Sequence, residues 1–148
     1  MFKKIVWATD GSKAADEALP FARALAAEGG GQLIVVHCVE LTLPGKGAGR
    51  YPIHADEADL KAKIVRQVAE LDAGGVATTL HTTRASVGQA AQAIAETARE
   101  QGGEVIVVGT RGHTGLGGLL LGSVTQRLLH AGPCPVLAVP VNGAHARA

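Results

Sequence analysis

Aromatic side chains are nearly missing: they make up 3% of the 148 residues, against 47% for hydrophobic residues as a whole. Large rings therefore cannot build the core, and Ala, Val, Leu and Ile must do so, a composition suited to helices packed closely on a β-sheet. Cysteine is scarce as well, with 2 in the chain. Cys38 and Cys134 lie far apart in apolar stretches with no C-x-x-C arrangement, which argues against a metal or redox pair and leaves both as small buried hydrophobes. No sign of charge is in excess. The 14 Lys and Arg against 13 Asp and Glu give a net charge of +1, and they are spread along the chain, so the electrostatic footprint of a nucleic-acid binder is absent. No apolar run approaches the ~18 residues that would span a bilayer. Lys3-Lys4 leads straight into a strand-like run ending at Asp10, without the apolar core of a signal peptide, so the expected location is cytoplasmic. The length suits one domain over residues 1–148 with a sizeable core, its tail 142–148 frayed.

What is present is alternation. Residues 3–9 read as a buried strand closed by Asp10-Gly11-Ser12, with Ser12 placed to cap a helix. Ala15, Ala18, Leu19, Ala22, Leu25 and Ala26 then recur at helical spacing as far as Glu28, before Gly29-Gly30-Gly31. Pro20, beyond the first turn, predicts a kink in one helix rather than two helices. Residues 32–39 form a strand apolar on both faces, with His37 a satisfied core residue. The Gly- and Pro-containing connection 41–53 has no periodicity, and loops of that length are usually functional or poorly ordered. Residues 55–71 read as an amphipathic helix with two stripes, Ala58-Ala62-Val65-Ala69 and Ile64-Val68-Leu71.

A more polar strand, 76–83, suits a sheet edge. Ser86-x-x-Gln89 has the form of a capping box for a helix through Val87, Ala90, Ala91, Ile94, Ala95 and Ala98, ended by Gly102-Gly103. A strand at 105–108, a helix of about two turns through Val124, Leu128 and Leu129, a block at Pro133 and a last strand at 136–139 complete the chain. Five strands alternating with helices predict an open, mostly parallel α/β sheet covered on both faces, Rossmann-like, with ligands bound where the winding reverses. The alternation alone does not choose between strand order 3-2-1-4-5 and a flavodoxin-like order.

The last strand–loop–helix unit carries the chemistry. After residues 105–108 comes a loop holding Gly109, Gly112, Gly115, Gly117 and Gly118, and then Gly122-Ser123. Loop amides without side chains in the way, facing a helix amino end, can close on phosphate oxygens. A dinucleotide fingerprint fails because Leu120 stands where Gly115 and Gly117 need a third glycine, and a P-loop fails because no lysine stands between Gly122 and Ser123. The spacing that fits is Gly109-x2-Gly112-x9-Gly122-Ser123, followed by Cys134-Pro135-Val136-Leu137. It resembles the nucleotide-binding signature of the universal stress proteins, and the likeness extends over essentially the whole chain.

That resemblance implies the order 3-2-1-4-5 and an ATP-binding protein acting as a small stress-response sensor or regulator. It implies phosphate held by Gly109, Gly112, Gly122 and Ser123, with Thr110, Arg111 and Val124 also at the nucleotide, and Ala8, Thr9, Asp10 and the backbone of Val39 around ribose and adenine. Magnesium would come with the nucleotide, near Asp10. The residues themselves leave alternatives open. Asp10 either meets ribose or a divalent ion, or merely begins a helix with Ser12, and Ser123 either donates to phosphate or caps its helix. Arg111 is a stronger phosphate candidate than His113, being charged at any ordinary pH. A family member working only through protein contacts is the alternative function. An ATPase or phosphotransferase is disfavoured by the missing lysine and the lack of a legible base, so hydrolysis is at most slow. The last strand is apolar, uncharged and bracketed by Pro135 and Pro140. Two copies pairing antiparallel there would satisfy both edges, and the family likeness implies the same homodimer, centred on Val136, Leu137, Ala138, Val139 and Val141.

Overall fold

A computed structural model describes residues 1–42, 56–110 and 121–140. Five strands and four helices alternate along them: β1 (Lys4–Ala8), α1 (Lys13–Gly29), β2 (Gln32–Leu41), α2 (Glu57–Ala73), β3 (Ala77–Ser86), α3 (Ala90–Glu100), β4 (Val105–Gly109), α4 (Ser123–Ala131) and β5 (Val136–Val139). The strands form one parallel sheet in the order β3-β2-β1-β4-β5. The chain winds outward from β1 through β2 to β3, then returns to place β4 on the other side of β1. That reversal lies between β1 and β4.

The alternation of side chains along each strand makes two cores. On one face Ile5, Trp7, Leu33, Val35, Val105 and Val107 pack against Ala15, Ala18, Ala22 and Ala26 of α1 and Ile64 and Leu71 of α2. On the other, Val6, Ala8, Ile34, Val36, Ile106 and Val108 meet Ala91, Ile94, Ala95 and Ala98 of α3 and Leu128 of α4. The alanine stripes let helices lie close to a sheet whose own residues are β-branched, as the composition requires. Trp7, the only tryptophan, is fully buried and donates its indole N–H to the Ala15 carbonyl at 3.0 Å. At the far end of the sheet, the Glu104 carboxylate accepts the backbone N–H groups of Lys3 (2.5 Å) and Lys4 (2.6 Å), which hold its carboxyl below the usual range.

Three elements differ from the sequence reading. In α2 only one of the two stripes turns inward: Leu60, Ile64 and Leu71 are buried, while Ala58, Ala62, Val65 and Ala69 are exposed. Burying a leucine or isoleucine gains about 1.5–3 kcal/mol and an alanine methyl far less, so the bulky stripe decides the helix's rotation. The capping box at Ser86 and Gln89 does not form. Ser86 instead ends β3, paired with Leu41, and α3 begins four residues later at Ala90 with no side-chain cap. Between them Gly88 turns at φ +84°, Gln89 N–H bonds the Ser86 carbonyl at 2.9 Å, and Val87 is left exposed. A ladder of ten β2–β3 pairs outweighs one cap. Finally, Cys38 and Cys134 are half-buried rather than buried, packing at the margin of the second core. α1 continues through Pro20 as one helix, Ser12 capping it and Gly30 ending it at φ 58°.

Candidate functional site

Beyond Ala8 the first strand becomes a turn built from its own polar side chains. Thr9 N–H extends the sheet to the Val36 carbonyl (2.9 Å), its hydroxyl oxygen accepts Gly11 N–H (3.0 Å), and Asp10 accepts Ser12 N–H (2.9 Å). Ser12 in turn accepts Ala15 N–H at 3.3 Å, starting α1. Asp10 thus does begin the helix with Ser12, one of its two expected roles. From the side, α2 braces this turn: Lys63 donates to the Gly11 carbonyl (2.8 Å) and to Asp16 (2.6 Å), and Gln67 donates to the other oxygen of Asp16 (2.8 Å).

His37 is satisfied in the core, as its place in a strand suggested. It is 3% exposed, with Nδ1 2.9 Å from the Thr9 carbonyl and Nε2 2.5 Å from Glu57 of α2. Val39, buried, lies two residues further along the same strand and at the same end of the sheet. Cys38, between them, has its thiol pushed up to about 11, first by burial and then by the negative charges of Glu40 and Glu57. Burial likewise raises the Cys134 thiol.

The second half of the site is the end of β4. The register Ile5↔Val105, Val6↔Ile106, Trp7↔Val107 runs β1 and β4 side by side, so that Thr9 and Asp10 leave the sheet beside Gly109 and Thr110. Gly109 is buried. A Cβ there would collide with the Ala14 carbonyl of α1, so the missing side chain lets a helix cross the strand closely. Two bonds then tie the start of α4 to this strand end: Gly122 N–H to the Thr110 carbonyl (2.7 Å) and the Thr125 hydroxyl to the Gly109 carbonyl (2.8 Å). Gly122 is the cap residue and Ser123 the first helical residue, exposed, so the capping role expected of Ser123 is not realised. Val124 is half-buried against the second core. Arg111, Gly112, His113, Gly115, Gly117, Gly118 and Val141 lie outside the described residues.

The structure therefore brings Ala8, Thr9, Asp10, Gly109, Thr110, Gly122 and Ser123 to one end of the sheet at the winding reversal, with Val39 one strand away. Spacing did not point to Thr125, Lys63 or Glu57, which act by reaching backbone or side chains far away in sequence. Nor did it point to the corner at Gly88, whose N–H bonds Glu40 (2.9 Å) and whose carbonyl accepts from Arg127 of α4. A groove of about 660 Å3 between α3 and α4, walled by Gln92, Glu96, Arg99, Arg127 and His130, contains none of the expected site residues. Among the described residues there is no cluster of three His, Cys, Asp or Glu able to hold a metal, and no helix long and apolar enough to cross a membrane.

An open parallel sheet whose winding reverses between β1 and β4, with a glycine-led helix fastened at that point, defines a Rossmann-like α/β protein. The universal stress protein family model matches residues 1–140, and the chain belongs to that family. A universal stress protein of Thermus aquaticus is 35% identical over 142 residues, covering 94% of this chain and 99% of that one. One of Methanocaldococcus jannaschii is 34% identical over 145 residues, covering 94% and 82%. Two solved structures share the fold at TM-score 0.65 and 24% identity, each covering 93% of this chain and 97% of the other: a universal stress protein in complex with cAMP, and that of Archaeoglobus fulgidus in complex with dAMP.

Proposed function

We propose that this protein binds an adenine nucleotide, ATP with magnesium, and acts as a small cytoplasmic sensor or regulator in a stress response rather than as a metabolic enzyme. The observation that carries the reading is the β1–β4 juxtaposition, which sets Thr9-Asp10 beside Gly109-Thr110 with the Gly122-Ser123 start of α4 tied to the same strand end. In this reading Gly109, Thr110, Arg111, Gly112, Gly122, Ser123 and Val124 surround the phosphates, and Ala8, Thr9, Asp10 and Val39 surround ribose and adenine. The amino end of α4 has no side-chain cap, and a helix amino end offers amides and a favourable dipole to an anion. Magnesium arrives with the nucleotide near Asp10. The binding of adenine nucleotides by solved relatives points the same way.

Calorimetry with ATP and magnesium tests this. Saturable binding below millimolar ATP is expected, and Gly122→Val, which places a branched side chain at the start of α4, should abolish it while leaving the fold intact. No binding at millimolar ATP overturns the reading. A second reading then stands, a family member working through protein contacts alone, and one observation favours it: the glycine at 109 is already explained by its approach to Ala14, and the Asp10 carboxylate already shapes the turn at Ser12. If ATP binds, its hydrolysis should be slower than about 1 per second, the low end for dedicated enzymes.

A further inference from the structure

We propose that His37 is a positioning residue of the nucleotide site, through which the start of α2 and the Thr9–Asp10 peptide hold one another in place. The proposal rests on the adenine-nucleotide reading and adds to it a route by which α2 senses the ligand. His37 is buried, and both of its ring nitrogens face acceptors: the Thr9 carbonyl at 2.9 Å from Nδ1 and Glu57 Oε1 at 2.5 Å from Nε2. A carbonyl can only accept, so Nδ1 carries a hydrogen. On the other side of the ring, Nε2 meets the Glu57 carboxyl. The result is one hydrogen-bonded link between two elements. It is a closed chain, carbonyl–imidazole–carboxyl, running from the end of β1 to the first turn of α2.

The place where it ends gives it a function. Thr9 is already fixed through its N–H to Val36 and its hydroxyl to Gly11, and the imidazole fixes its third polar group, the carbonyl. The peptide is planar, so anchoring the Thr9 carbonyl also fixes the direction of the Asp10 N–H and the path of the chain into the site. Lys63 of α2 pairs with Asp16 of α1, and Arg84 stands on β3 opposite Val39. Coupling between two sites is reciprocal, so a nucleotide that orders Thr9-Asp10 must also order the first turn of α2.

Three measurements on the full chain test this. In 15N spectra of the histidine rings, His37 Nδ1 should appear as a protonated, pyrrole-type nitrogen with or without nucleotide; an unprotonated Nδ1 overturns the proposal. By calorimetry with ATP and magnesium, His37→Leu should weaken binding about tenfold or more, the scale of one buried hydrogen bond. His37→Asn, whose amide can reach the Thr9 carbonyl but not Glu57, should recover most of that loss and remains informative if the leucine variant does not fold. In hydrogen exchange, ATP should slow exchange in a peptide spanning residues 57–64 of the wild type, and Glu57→Gln should remove that slowing. A wild type that binds no ATP overturns the nucleotide reading itself. A wild type that binds, with unchanged affinity in both His37 variants or with no slowing in α2, overturns the positioning role alone.

Discussion

Gly109 and Cys38 show how a single atom, present or absent, sets the behaviour of a strand end. At Gly109 an added methyl group would meet the Ala14 carbonyl, a backbone atom of α1 that cannot swing aside as a flexible side chain would. Gly109→Ala should therefore push α1 off the sheet at an overpacking cost of about 1–3 kcal/mol, read as a lowered midpoint in thermal or urea unfolding. An unchanged midpoint would show that the close approach is not needed. At Cys38 the thiol rises from 9.0 to about 11, so at pH 8 its reactive thiolate is about a hundredfold scarcer than in an unfolded chain. Iodoacetamide at pH 8 should label Cys38 slowly in the native protein and fast in urea, as followed by mass spectrometry. The neutral thiol's contribution to stability is intact below about pH 9 and is lost as pH climbs towards 11.

At the scale of the element, α4 owes its position to a hydroxyl. Thr125 is buried and donates to the Gly109 carbonyl from the first turn of the helix. Thr125→Val keeps the shape, removes the donor and leaves a buried carbonyl short of a partner, which should cost about 1–3 kcal/mol in denaturant unfolding. If the protein binds ATP as proposed, the affinity should fall with it, because the helix start is released from the strand. This contact also marks the limit of what the sequence makes legible. The alanine stripe of α1 and the alternating strands and helices follow from periodicity, which reports which face is apolar, whereas the strand order 3-2-1-4-5 is implied only by the family resemblance. α2 offered two apolar faces, and only the volume of Leu60, Ile64 and Leu71 chose between them. Ser86 had the local chemistry of a cap yet served a strand, since a ladder partner 45 residues earlier in the chain leaves no local trace. Thr125, Lys63 and Glu57 act on groups from 16 to 52 residues away, and no spacing rule reaches that far.

At the scale of the whole molecule the sheet has an apolar margin at β5. β5 is the last strand in the order, and Leu137 at its middle is 38% exposed. An apolar edge without charge is a template for pairing, and an antiparallel meeting of two copies closes it with the same residues on both sides. A homodimer is therefore expected, with a light-scattering mass twice the 15.0 kDa of one chain, and Leu137→Lys should return it to one. A wild type at the single-chain mass ends the idea. At the centre of the sheet stands β1, between β2 and β4, its first residues latched by Glu104 across 100 positions of sequence. A ribosome releases the amino-terminal half first, so β1, β2 and β3 can assemble while one side of β1 still has no partner. That open side is the hydrophobic seam awaiting β4, and long-range parallel pairing of this type is slow. The nascent chain is thus most vulnerable to misassociation in the interval before residue 109 emerges. A nucleotide bound between β1 and β4, as proposed, would seal the finished protein but have no surface to grip earlier, which would make it a stabiliser of the product and not a guide to its folding.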